Sequence, residues 1–199
     1  MNYLAHAFLS KNNDELMIGN LIADFIKGKN KYNYNDEIQN GIRFHRAIDY
    51  YTDNHSLIEK SVTIYKSEYK LILGAPIFND ILFDHFLAND SLHFTDESLA
   101  IFTNKIYNQL ANSSILLNSN MNGFFNYMIE TNLLYNYKNL DGLFKSINGI
   151  CRRYPKLGNP NIAKECIEKN YFIFQNIYND FLPDLIHFSK IQIQDNKII

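Results

Sequence analysis

Four stretches in the first half of the chain set cation-binding side chains four residues apart in apolar surroundings. They are Asn2/His6, Asn20/Asp24, His45/Asp49/Asp53 and Asp80/Asp84, the last followed directly by His85. A spacing of four stacks side chains one turn apart on one helix face. Turning Asp and His toward an apolar interior carries a large desolvation penalty unless the groups pair or bind a metal. Four such stretches predict a buried metal-dependent hydrolytic site in an all-helical fold.

The densest segment is Gly41-Ile42-Arg43-Phe44-His45-Arg46-Ala47-Ile48-Asp49, continuing through Asp53 to His55. One imidazole with carboxylates a turn away suits Mg²⁺, Mn²⁺ or Fe²⁺ better than a structural Zn²⁺. Arg46 beside them suits a phosphate, which a guanidinium grips through two parallel hydrogen bonds. The plain alternative is an exposed face of Asp–Arg pairs. Against it stands Asp84-His85, flanked on both sides by large apolar residues and therefore in need of partners. His6 reads equally as a ligand or as a core histidine bonded to backbone. His55 reads as a surface or capping residue, and His93 and His187 as structural.

These side chains require long helices, and the composition provides for them. Among 199 residues there are only 8 Gly and 4 Pro, 46 % are hydrophobic and 20 % charged. That describes one globular domain, expected over 1–190 with a frayed tail at 191–199. Helices are expected at 2–10, from Asp14 to a Gly28 cap, at 36–65, from Pro76 to Ala88, and from Thr95 onward. Others follow at 120–136, 140–153 and 161–189, with 29–35 as a polar loop and Pro183 kinking or ending the last helix.

A net charge of −2 gives no global field for nucleic acid or membrane. The 15 % aromatic content, all Phe and Tyr, is read as core filling. Cys151 and Cys166 form no CxxC pair, and the N-terminus has no signal-peptide pattern, so a reducing cytoplasm is expected. No Glu-x-x-His, His-Glu-x-x-His, glycine-rich phosphate loop or Gly-x-Ser-x-Gly occurs.

Taken together, Asn2-Tyr3-Leu4-Ala5-His6, Gly19-Asn20-Leu21-Ile22-Ala23-Asp24-Phe25-Ile26-Lys27-Gly28, the Gly41–His55 block and Phe83-Asp84-His85-Phe86-Leu87-Ala88 resemble the acyl carrier protein phosphodiesterase family. Four blocks in matching order cover roughly the first 90 residues. The resemblance implies hydrolysis of the phosphodiester that joins 4′-phosphopantetheine to a serine of holo-acyl carrier protein. It also implies a divalent cation, typically Mn²⁺, and a helical bundle related to the HD phosphohydrolases. The chain departs from that relationship in having no His-Asp dipeptide, Asp84-His85 being the reverse order.

Spacing and resemblance converge on an assignment of roles. Asp24, His45, Asp49, Asp84 and His85 are expected to supply the metal shell, with Asn20, Asp53 or Asp80 orienting them. Arg46 would hold the phosphoryl oxygens and His6 would protonate the leaving serine oxygen. Carrier proteins are acidic, so Lys27, Lys29, Lys31 and Arg43 are the expected docking patch. Two other readings share these features. One is an HD-like hydrolase of a nucleotide or other small phosphoester, and the other is a non-catalytic helical binding protein.

Overall fold

Two asparagines start the helices that carry most of the candidate site. In the computed structural model, which describes residues 1–113 and 121–194, Asn13 and Asn35 are extended. Their side chains accept the backbone N–H of Leu16 and Ile38, opening α2 (Asp14–Ile22) and α3 (Asp36–Asp53). Before them lies α1 (Tyr3–Leu9), and after them α4 (Ser56–Tyr69), α5 (Ala75–Ala88) and α6 (Asp96–Asn112). The second half adds α7 (Asn122–Glu130), α8 (Leu133–Asn136), α9 (Leu140–Arg153) and α10 (Pro160–Gln194). Among the described residues every regular element is helical, as the scarcity of breakers implied.

Helices α2 and α5 are the centre of the bundle. Leu16 through Ile22 are buried without a break, as are all of Ile81–Ala88. A helix buried on every side has neighbours all around it. Accordingly α1 packs on both, α3 lies along α2, and α4, α9 and α10 close over α5. Contact between α2 and α3 is backbone to backbone. A Cβ on Gly41 would sit 2.2 Å from the Leu16 carbonyl oxygen and 2.7 Å from the Gly19 Cα. Only glycine at both positions permits this approach, which brings Asn20, next to Gly19, against His45, one turn past Gly41.

Several boundaries differ from the expectations, each for a local reason. The helix expected over 36–65 is two helices. The Asn54 side chain bonds the Tyr50 carbonyl, and His55 turns extended and caps α4 by accepting from the Leu57 N–H. The second helix ends at Ile22, and Ala23–Phe25 continue as a 3-10 turn. Gly28 is therefore not its cap but opens, at φ +56, another 3-10 turn over Gly28–Asn33, where a loop was expected. Residue 120 of the expected 120–136 helix lies outside the described residues, and the remainder is split by Asn132 in the left-handed region. Pro183 does not end α10, which runs past Ile191 to Gln194; 195–199 lie outside the described residues. No helix of the described residues is long and apolar enough to cross a membrane.

Candidate metal centre

Asn20 organises the site. Its amide nitrogen donates to the His6 carbonyl at 2.8 Å and to Ser10 Oγ at 3.3 Å, which fixes which end of the amide is oxygen. That oxygen lies 2.7 Å from Nδ1 of His6 and 3.2 Å from Nδ1 of His45. An amide oxygen only accepts, so both rings carry hydrogen on Nδ1. In each neutral ring the Nε2 lone pair is then turned the other way, free for a cation.

Both Nε2 atoms face carboxylates. His6 Nε2 is 3.1 Å from one oxygen of Asp49, and His45 Nε2 is 3.0 Å from the other and 3.2 Å from Asp24. One donor atom each from His6, His45 and Asp49 lie within 4.8 Å of one another. Lone pairs on nitrogen and carboxylate repel across such distances unless a proton or a metal ion lies between them.

The charge states express that demand. Burial, aided by the neighbouring His45, pushes His6 down to about 4, so it is neutral at pH 7. Burial also opposes the charged form of His45, but the hydrogen bonds it donates to Asp24 and Asp49 outweigh burial and raise this ring to about 9. Burial opposes the charge on Asp49, but the hydrogen bond from protonated His45 and the charge of the Met1 amine hold it far below the ordinary carboxylate range. Asp24 is also lowered, chiefly by its bond from His45. Without a metal, one proton on His45 supplies the positive charge the cluster needs. A donor set of two imidazole nitrogens and two carboxylates fits Mn²⁺ or Fe²⁺ well, and Mg²⁺ less well.

The cluster lines one side of a cavity of about 1060 Å³. Asp24, with its side chain 59 % exposed, opens directly into it. Asp53 and Asp80 also line it, and burial pushes Asp80 up to about 6 and raises Asp53. The Asp80 carboxylate lies 3.2 Å from the Met1 amine. Tyr3 completes this wall; burial and the Asp24 charge raise its hydroxyl, which stays protonated.

Five residues depart from their expected roles. Both oxygens of Asp84 are taken by backbone, the N–H of Leu4 at 2.8 Å and of Ala5 at 3.0 Å. It satisfies the otherwise unpaired first turn of α1, which places His6, and so positions the cluster without joining it. His85 is also spoken for, Nδ1 against the Tyr137 carbonyl at 2.7 Å and Nε2 against the Tyr171 hydroxyl at 2.8 Å. Arg46 is exposed and donates to the Ile26 carbonyl at 3.1 Å, away from the cavity. Arg43 bonds the Asn40 side chain. His6, expected to act as an acid, faces Asp49 as a neutral ring within the cluster.

The sequence reading missed Arg152 and Arg153, which line the cavity from the C-terminal end of α9. Two cations in a last turn look like ordinary helix-dipole partners, and no local signal marked them as anything more.

The same chain, compared with known proteins, matches over nearly its whole length. The family model described as acyl carrier protein phosphodiesterase matches residues 1–185. The chain is 30 % identical over 184 residues to an acyl carrier protein phosphodiesterase of Photorhabdus laumondii, covering 92 % of both proteins. It is 30 % identical over 200 residues to that of Yersinia enterocolitica, covering 100 % of both. With that of Pectobacterium atrosepticum it shares 28 % identity over 193 residues, 96 % of this chain and 99 % of the relative. No solved structure matches it. The chain belongs to the acyl carrier protein phosphodiesterase family.

Proposed function

We propose that this protein is a cytoplasmic, metal-dependent phosphodiesterase that removes 4′-phosphopantetheine from holo-acyl carrier protein, leaving apo-carrier. The observation that carries the reading is the convergence of two Nε2 lone pairs and the Asp49 carboxylate on one edge of a large cavity. His6, His45, Asp49 and Asp24 would hold the ion, with Mn²⁺ the favoured metal. When bound, it supplies Lewis acidity that lowers the pKa of a water and offsets phosphoryl charge.

The protein's own groups do the rest. Asn20 holds both rings in the tautomer that leaves Nε2 unprotonated. Arg152 and Arg153 take over the grip on non-bridging oxygens first assigned to Arg46. Asp80, raised to about 6 and lining the cavity, is the group suited to give a proton to the leaving serine oxygen. The serine belongs to a folded partner, so the surface around the mouth must dock it. Lys27, Lys29 and Lys31 follow directly on Asp24 and Phe25 of the cavity wall, where an acidic carrier would approach.

The test is the intact mass of holo-acyl carrier protein after incubation with this protein and Mn²⁺, with an EDTA control. Metal-dependent loss of the arm supports the reading. An unchanged carrier with Mn²⁺ bound would move the activity to a small phosphoester, and an unchanged carrier without bound Mn²⁺ would favour a binding protein.

A further inference from the structure

The cavity is much larger than a phosphate requires. At about 1060 Å³ it reaches the upper end of the range for sites that enclose whole organic ligands. Helix α9 forms one wall through Ser146, Gly149, Ile150 and Arg153. Steps of three, four and seven residues place these side chains along one helix face, a stripe rising roughly 10 Å. Arg153 stands at one end, where its charge acts on Tyr3, which in turn faces Asp24. Ser146 stands at the other, beside the buried hydroxyl of Tyr137, which also accepts from the Asn2 side chain at 2.8 Å.

Two glycines on these walls lack a packing reason. Gly149 sits inside α9 and Gly123 near the start of α7, and both line the cavity. A Cβ at either would meet no atom within 4 Å. This contrasts with Gly19, Gly41, Gly74 and Gly142, where a Cβ would collide with atoms under 3 Å away. Glycine within a helix is less favourable than alanine. Gly149 is exposed and lines the cavity, and no neighbouring backbone or side chain repays that cost.

We propose that the α9 stripe and the facing Gly123 and Phe124 of α7 form the channel for the pantetheine arm, with Gly149 keeping it open. This rests on the phosphodiesterase reading and assigns the rest of the substrate. The phosphodiester lies between the metal cluster and Arg153. The arm, a linear chain with two amides and a terminal thiol, runs along Gly149 and Ile150 toward Ser146 and Tyr137. The Ser146 hydroxyl donates to the Gly142 carbonyl and keeps a lone pair for an amide N–H of the arm, and the glycine faces leave room for its branched methyl groups. Gly149 is thus a specificity residue for long substrates and has no part in the chemistry.

The experiment titrates Mn²⁺-loaded wild type, Gly149→Ala and Gly149→Leu with free 4′-phosphopantetheine, and separately with inorganic phosphate, by calorimetry. Expected is at least a tenfold weaker phosphopantetheine affinity in Gly149→Leu, phosphate affinity unchanged, and a thermal midpoint equal to or above wild type in both variants. Equal phosphopantetheine affinity in wild type and Gly149→Leu would overturn the channel while leaving the phosphodiesterase reading intact. A lowered midpoint in Gly149→Ala would also overturn it, by showing that the glycine is needed for packing. If Mn²⁺-loaded wild type neither binds phosphopantetheine nor acts on holo-carrier, the functional reading itself fails, and the channel with it.

Discussion

His6 and His45 lie ring on ring, their centroids 4.0 Å apart and their planes 17° from parallel. Two stacked imidazoles cannot both be charged without strong repulsion, which is reflected in one being lowered to about 4 and the other raised to about 9. Asn20 holds the two rings in parallel, with both Nε2 atoms turned toward Asp49.

Replacing Asn20 by Ala removes the acceptor that holds both tautomers while leaving every direct ligand in place. Hydrogen-bond partners behind metal ligands are worth about 10- to 100-fold in metal affinity. Asn20→Ala is therefore expected to weaken Mn²⁺ binding by that factor with helicity unchanged, as read by calorimetry and circular dichroism. Unaltered affinity would show that the amide does not set the rings.

The two arginine assignments separate kinetically. Arg153→Ala removes a cation that lines the cavity, and Arg46→Ala removes one that bonds the Ile26 carbonyl. A hydrogen bond to a charged group contributes about 1.5–3 kcal/mol, so Arg153→Ala should lower kcat/KM for holo-carrier by about 10- to 100-fold. Arg46→Ala should change it little. Repeating the series at high salt reads the lysine patch: a rising KM is expected for wild type, and a flat response would remove Lys27, Lys29 and Lys31 from docking.

Asp84 gives the fold a pH dependence of known sign. Burial pushes it up to about 7, with the Leu4 and Ala5 amides opposing. A carboxyl raised on folding favours the native state below its ordinary pKa and loses that contribution as pH climbs through about 7. Asp84→Asn cannot ionise. Metal-free wild type should therefore lose midpoint relative to Asp84→Asn between pH 4 and pH 8. A constant gap between the two melting curves would show that Asp84 titrates normally.

The crossing of α2 and α3 is the most sensitive point of the scaffold. Gly41→Ala forces a methyl group to within 2.2 Å of the Leu16 carbonyl oxygen. Overpacking of this kind costs about 1–3 kcal/mol, and here the obstacle is backbone that cannot rotate aside. The variant should melt several degrees lower and bind Mn²⁺ more weakly, because separating the helices pulls His45 away from Asn20. Normal stability would mean that the helices cross with room to spare.

The half of the site that could be read in sequence is the half that one helix or one turn presents. His45 and Asp49 share a face of α3, and Asn20 and Asp24 stay on one side although Asp24 falls in a 3-10 turn. What stayed hidden depends on distant partners. Apolar flanks marked Asp84 and His85 as buried but could not say what satisfies them. The answers are amides 80 and 79 residues away for Asp84, and tyrosines 52 and 86 residues away for His85. Arg46 is adjacent to His45 in sequence, yet one residue is about 100° of helix rotation, which turns it outward. The break at Asn54-His55 was missed because two side-chain caps override an apolar period that continues through it.

The central claim is that His6, His45 and Asp49 hold one divalent ion. A titration of the metal-free protein with Mn²⁺, followed by electron paramagnetic resonance of the free ion, tests it in wild type and His45→Ala. One tight ion per wild-type chain, with that site lost in His45→Ala, is the result this structure predicts. An absence of stoichiometric binding in wild type, or an undiminished site in His45→Ala, would contradict it.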